Sequence, residues 1–357
     1  MSTDELVPLL DGDPTPFLLD VREPDEVADW HIRGAHNIPL DQLEARMGEV
    51  SLDDRIVVIC ALGLRARQGA EILASHGVAS SVLAGGMGAW TSTYDQVNGD
   101  FGGARVVQIR RRGKGCLSYV VGAGTRCVVI DPSLDLDQYL ETAKRCGWAI
   151  SHVLDTHLHA DHISGARALV AATGAVLMLS PADPFTFEFE PLTDGRAIEL
   201  APGVHLCVSA VSVPGHTEGS TMYQLGESAI FTGDTLFLES VGRPDLAEQA
   251  EPFAHHLYRS LHERVLTQSD ETMVFPAHFG AGVEVHGDQF VSRRLGSLRT
   301  TLDALKFSEN DFVAWAVANV KDRPPNYQRI VRINSGQESV TAESAQIEIG
   351  PNRCAIA

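Results

Sequence analysis

No stretch of this 357-residue chain approaches the roughly 20 apolar residues that a membrane-spanning helix requires. Its opening, MSTDELVPLL, is acidic and lacks the basic and apolar regions of a secretory signal. Positive charge is scarce: 28 Lys and Arg stand against 47 Asp and Glu, and a net charge of −19 argues against nucleic acid as the main partner. The cysteines at 60, 116, 127, 146, 207 and 354 form no CxxC pair and no disulfide-like framework, which points to a reducing cytoplasm in which a lone thiol stays reactive. There is no internal repeat and no low-complexity tract. What is present is 44% hydrophobic, an ordinary globular composition long enough for two cores.

The character of the chain changes around TSTYDQVNGDFGG, residues 91–103, which is rich in Gly and polar turn formers and has no periodic apolar face. This stretch is the expected junction, with domains at 1–95 and 104–357 and a linker at 96–103. Before it, short buried strand patterns (FLLDV, IVVIC, SVLAGG) alternate with helical ones, the signature of a small parallel α/β domain. After it, longer β-type runs such as ARVVQIRR, LSYVVGAG, RCVVIDP and AIFTGD are interrupted by helical segments, which predicts two sheets covered by helices.

The segment DTHLHADHISG, residues 155–165, gathers three histidines and two aspartates between a strand pattern and a helical one. Rigid elements on either side let such a loop present side chains to a ligand, and the residue types are metal-ligand types. Further donors fall at later strand ends: His216 in VSVPGHTEGS, Asp234 in AIFTGDTLF and His278 in MVFPAHFG. With His157, His159, Asp161 and His162 these make seven nitrogen and oxygen donors expected at one edge of the sheets. In the first half, Cys60 follows a buried strand and precedes a helix. The loop Cys60-Ala61-Leu62-Gly63-Leu64-Arg65 is expected to turn backbone N–H groups toward the sulfur, with Gly63 allowing the turn and Arg65 holding an anion.

Three motifs in order, LLDVREPDEVADWHIRGAHNIPL, CxxGxRA and LAGGMGAW, resemble the rhodanese, or sulfurtransferase, domain over about the first 95 residues. The resemblance implies that Cys60 accepts a sulfane sulfur from a donor such as thiosulfate, with Gly63 and Arg65 at the anion. THLHADH, PGHTEGS, TGDTLF and PAHFG, again in order, resemble the metallo-β-lactamase superfold over residues 104–300. The fold class implied is therefore a parallel-sheet rhodanese domain followed by an αββα sandwich.

That likeness leaves two chemistries open. Seven ligands can hold two zinc ions with a bridging aspartate, as in glyoxalase II. Alternatively His157, His216 and Asp234 hold one Fe(II), with His159, Asp161, His162 and His278 around them. GRPDL, PPNYQRIVRIN and GPNRCA look like the persulfide dioxygenases of the superfamily, and two histidines with one carboxylate form the facial triad of Fe(II) oxygenases. On that reading one iron per chain and O₂ oxidise a low-molecular-weight, glutathione-like thiol persulfide to sulfite and thiol. Arg243 is then a candidate grip on a carboxylate of the thiol carrier, with a structural salt bridge as the alternative. Cys354 is expected to pack. Where some relatives read GCGRTD this chain reads SVGRPD, so Val241 replaces a cysteine and leaves the carrier thiol undefined. Association into homo-oligomers is equally open.

Overall fold

The computed structural model describes all residues except 52–54, 194, 203, 246–248, 281, 321–322, 324–325 and 357, and describes 204–211 by backbone only. The chain divides into two compact units: Met1–Asp95 with Arg111–Gly115 and Ile349–Pro351, and Gln96–Arg110 with Cys116–Glu348 and Asn352–Ala357. No helix among the described residues is long and apolar enough to cross a membrane.

The first unit is built on a four-stranded parallel sheet in the order His36–Asn37, Phe17–Asp20, Ile56–Ile59, Ser80–Val82. Ile56-Val57-Val58-Ile59 is buried throughout, because each face of a central parallel strand is covered. Ile56 and Val58 join Leu43, Ala66 and Leu73 on one side, while Val57 and Ile59 join Leu6, Ile32, Met87 and Trp90 on the other.

The second unit is a sandwich. One sheet runs Glu190–Pro191, Val176–Leu179, Ala149–Leu154, Arg126–Ile130, Cys116–Ala123, Ala104–Arg111, Tyr94–Phe101. The other runs Arg196–Ala201, Val204–Ser212, Thr221–Leu225, Ala229–Gly233, Met273–Pro276, Arg293–Arg294. Tyr119, Val121 and Ile130 of the first sheet and Tyr223, Phe231 and Phe275 of the second meet in one core between them. On its outer face the second sheet packs Met222, Ile230 and Val274 against helix Ala250–Ser260 and helix Glu309–Ala318 through Ala254, Leu257, Phe312 and Ala316.

The linker expected at 96–103 is not a linker. Tyr94–Phe101 is an edge strand of the seven-stranded sheet, and Gly102 and Gly103, at φ 55° and 84°, turn the chain back into Ala104–Arg111. Val97 and Phe101 share a face at even spacing, and Phe101 meets Phe275 and Phe290 edge-on. The polar run Asn98-Gly99-Asp100 between them resembles a turn in sequence, although an edge strand accepts such residues.

Candidate functional sites

In the first unit, strand Ile56–Ile59 delivers Cys60 at its C-terminal end, and helix Leu64–Ser75 begins four residues later. Gly63 caps that helix at φ 98°, a left-handed conformation that glycine adopts freely, and its N–H donates to Cys60 Sγ at 3.0 Å. LAGGMGAW lies directly against this loop. Met87 N–H donates to the Cys60 carbonyl at 2.9 Å and Gly88 N–H to the Ala61 carbonyl at 3.0 Å. A Cβ on Gly86 would fall 2.1 Å from the Cys60 carbonyl oxygen, so only glycine permits the approach. The first motif supplies the frame: Asp20 and Arg22 form a buried ion pair at 2.6 Å, and Arg22 also donates to the Trp30 carbonyl. Arg65 does not stand free toward an anion. Its guanidinium is held by both carboxylate oxygens of Glu26 at 2.6 and 2.7 Å. That pairing, chiefly the hydrogen bond from Arg65, pulls the Glu26 carboxyl down to about 2.

In the second unit, the loops after four strands converge. Strand Ala149–Leu154 leads to the histidine-rich loop, Val204–Ser212 to His216, Ala229–Gly233 to Asp234 and Met273–Pro276 to His278. Two glycines make the approach feasible: a Cβ on Gly233 would lie 2.6 Å from Thr156 Oγ1, and one on Gly215 2.4 Å from Leu257 Cα.

His157, His216 and Asp234 are buried, and the three side chains bring one ligand-type atom each within 4.8 Å of the others. Asp234 Oδ2 lies 3.5 Å from His157 Nε2 and 3.4 Å from His216 Nε2. None of these three atoms has a hydrogen-bond partner. Their opposite atoms are all engaged: His157 Nδ1 with Thr156 Oγ1 at 2.9 Å, His216 Nδ1 with the Arg243 carbonyl at 2.9 Å, and Asp234 Oδ1 with His278 Nδ1 at 2.6 Å. Burial holds both His157 and His216 below the usual histidine range, so each presents a neutral nitrogen lone pair. Burial pushes the Asp234 carboxyl up, but His278 and His157 outweigh it and keep the carboxylate charged. Buried polar atoms left without partners are costly, and three aimed at one point fit a cation with two nitrogen ligands and one oxygen ligand.

The other four predicted donors lie around this triad. His278 turns Nε2 to Asp161 Oδ2 at 3.0 Å, and His162 Nδ1 meets Asp161 Oδ1 at 3.1 Å. His159 turns Nε2 to Asp131 Oδ1 at 3.1 Å and leaves a buried Nδ1 without a partner. Arg243 is buried with its guanidinium on Asp245, at 2.7 and 2.9 Å, and on the Arg353 carbonyl at 2.8 Å. The fork expected to grip a substrate carboxylate is thus occupied by protein groups, in keeping with the structural alternative.

Sequence reasoning missed two participants, Cys116 and Glu26, and gave a third, Cys354, a packing role. Cys116, buried at the start of a strand, places its Sγ 3.5 Å from Asp161 Oδ2 within the cluster of Asp161, His162 and His278. Cys354 is buried, as a packing residue would be, and its Sγ also lies in a cluster with Asp234 and His278. Glu26 sits in the first rhodanese-like motif, where its charge four residues after Arg22 was the only clue.

Residues 111–278 match the metallo-beta-lactamase superfamily, and residues 2–93 match the rhodanese-like domain. Hydroxyacylglutathione hydrolase of Aliivibrio fischeri strain MJ11 is 31% identical over 214 residues, covering 55% of this chain and 80% of that one. The mitochondrial persulfide dioxygenase ETHE1 of Bos taurus is 30% identical over 175 residues, covering 47% of this chain and 65% of its own length, so the chain spans slightly less than two thirds of that relative. The crystal structure of ETHE1 from Myxococcus xanthus superposes with a TM-score of 0.58 at 26% identity, over 65% of this chain and 98% of that chain. With these matches over its sandwich and its cysteine-loop domain, the chain belongs to the metallo-beta-lactamase superfamily and carries a rhodanese-like domain ahead of that fold.

Proposed function

We propose that the protein is a persulfide dioxygenase with sulfurtransferase activity at Cys60. The observation that carries the reading is the set of three unpartnered atoms, His157 Nε2, His216 Nε2 and Asp234 Oδ2, each on a side chain whose opposite atom is already held. One ion held by these three would have two histidines and a carboxylate, the ligand set of the Fe(II) facial triad. His278 Nδ1 holds Asp234 Oδ1, which leaves Asp234 only Oδ2 free toward the triad.

The triad would hold Fe(II), which supplies the redox chemistry with dioxygen that zinc lacks. The reaction balances as RSSH + O₂ + H₂O → RSH + SO₃²⁻ + 2H⁺, with R a glutathione-like carrier. Within it, Thr156 and the Arg243 carbonyl fix the two imidazoles so that Nε2 faces inward. His278 fixes Asp234 and keeps its charge directed at the same point. At Cys60, the Gly63 N–H stabilises negative charge on the sulfur that accepts a sulfane sulfur from thiosulfate or a persulfide. Described cysteines are all free, which supports a reducing cytoplasm.

A zinc thioesterase is the second reading. The unpartnered His159 Nδ1 and His278 Nε2, with Asp161 and His162 beside them, favour it, since together they could complete a two-ion site, and hydrolase relatives are equally similar. Protein purified without oxygen decides the matter by its metal content, with O₂ uptake on glutathione persulfide set against hydrolysis of S-lactoylglutathione. One iron per chain with O₂ uptake is expected. Two zinc ions with thioester hydrolysis and no O₂ uptake would overturn the dioxygenase reading.

A further inference from the structure

The two nitrogen donors of the triad stand on separate loops, yet both peptide groups that flank His157 are tied to the segment running on from His216. On one side the Thr221 N–H donates to the Thr156 carbonyl at 2.7 Å. On the other the tie runs through a side chain of a third loop, Asp183, which follows strand Val176–Leu179 and is 5% exposed. Asp183 Oδ2 accepts from the Leu158 N–H at 2.8 Å and from Thr217 Oγ1 at 3.2 Å, and Oδ1 accepts from the Gly219 N–H at 2.9 Å. Leu158 follows His157, and Thr217 follows His216. The fit is close, since a Cβ on Gly219 would lie 2.4 Å from Asp183 Cγ.

We propose that Asp183 is a positioning residue that sets the separation and angle between His157 Nε2 and His216 Nε2, and so the geometry in which the triad holds its ion. The proposal rests on the reading of His157, His216 and Asp234 as the metal ligands. Thr156 Oγ1 and the Arg243 carbonyl fix how each imidazole turns, but neither contact relates the His157 loop to the His216 segment. Asp183 does. All three of its partners are donors, so the side chain must accept at both oxygens. An asparagine in its place would turn its NH₂ against a backbone N–H in either orientation, that of Leu158 or that of Gly219. A buried donor left in that way is costly. The His157–Leu158 peptide would come free of the turn after His216, and the two nitrogens would no longer be held at one spacing.

The test uses the full-length protein freed of metal, with Co(II) as the probe, because the visible d–d absorption of cobalt reports ligand geometry whichever ion the protein carries natively. Chelator competition gives the affinity and the spectrum gives the geometry. Wild-type protein should bind cobalt, and Asp234→Ala should abolish binding at the triad. Asp183→Asn should weaken cobalt binding by about 10- to 100-fold, the scale for losing a group that orients metal ligands, and should alter the position and intensity of the d–d bands. Thr217→Val removes one hydroxyl donor and keeps the carboxylate and both backbone ties, so it should shift the bands in the same direction by less. Wild-type affinity and bands in Asp183→Asn would overturn the proposal. So would a variant that is less stable to denaturant but whose bound cobalt keeps the wild-type spectrum, because Asp183 would then serve folding alone. Should Asp183→Asn not fold, unmoved bands in Thr217→Val overturn it. Cobalt binding unchanged by Asp234→Ala would remove the triad reading itself, and the proposal with it.

Discussion

His278 lies between two carboxylates, its Nδ1 donating to Asp234 Oδ1 at 2.6 Å and its Nε2 facing Asp161 Oδ2 at 3.0 Å. Burial disfavours charge on this ring, but Asp161 and Asp234 raise it well above the usual histidine range, and its Nδ1–H braces Asp234. His278→Ala should then weaken metal retention by about 10- to 100-fold, as loss of a supporting partner does, while leaving the stoichiometry at one ion. Competitive chelator titration with metal analysis measures both. A fall from two ions to one would identify His278 as a ligand and favour the two-zinc alternative.

Asp234→Ala removes the one anionic donor of the triad. Iron retention and O₂ uptake should both disappear, whereas sulfur loading of Cys60 should continue, because strand Ile56–Ile59 and the loops that position Cys60 lie in the other unit. Retained iron in this variant would place the ion elsewhere.

Gly86→Ala puts a methyl group 2.1 Å from the Cys60 carbonyl oxygen and 2.9 Å from the Ala61 carbonyl carbon. The cysteine loop must shift, at a cost of about 1–3 kcal/mol. Sulfur loading of Cys60 should drop steeply with iron content unchanged. Normal loading kinetics would show that the loop tolerates displacement.

The residues of the two candidate sites differ in how plainly the sequence displays them. His157, His216 and Asp234 each stand at a strand end inside a recognisable string, so their convergence follows once the strands are read as neighbours. Cys116 is embedded in an apolar strand, and only the pairing of that strand beside His278 gives it chemistry. Glu26 and Arg65 are 39 positions apart, a separation across which charge patterning carries no signal. Cys354 reaches Asp234 because Asn352–Ile356 docks through hydrogen bonds from the Arg243 N–H to the Cys354 carbonyl and from the Ile356 N–H to the Val241 carbonyl. No local pattern encodes such docking. The edge strand Tyr94–Phe101 was hidden for the opposite reason, since its composition is that of a loop.

Arg243 should reveal itself through stability. Arg243→Ala leaves partly buried Asp245 with Arg323 as its ion-pair partner and frees the Arg353 carbonyl, which should cost about 1–3 kcal/mol, the scale of a lost charge-assisted hydrogen bond. Denaturant unfolding measures this. A stable variant with a raised KM for the carrier thiol would restore the substrate-gripping role.

Alkaline stability should depend on Cys127. Burial, with a smaller contribution from Cys146, pushes this thiol up to about 12 from an ordinary value of 9.0. A raised folded-state value means that stability is complete below pH 9.0 and is lost as pH rises toward 12. Cys127→Ala should flatten that decline, at the cost of a small cavity. An unfolding free energy that falls equally in both proteins between those limits would assign the loss to other groups.

The strand Tyr94–Phe101 governs how the chain can be cut. A fragment beginning at residue 104, the border that composition suggests, would strip the seven-stranded sheet of its margin and leave Ala104–Arg111 with unpaired backbone groups. Phe275 and Phe290 would lose Phe101 in the same stroke. Bare strand edges recruit strands from other molecules, so that fragment should aggregate, and a fragment beginning before Tyr94 should remain dispersed.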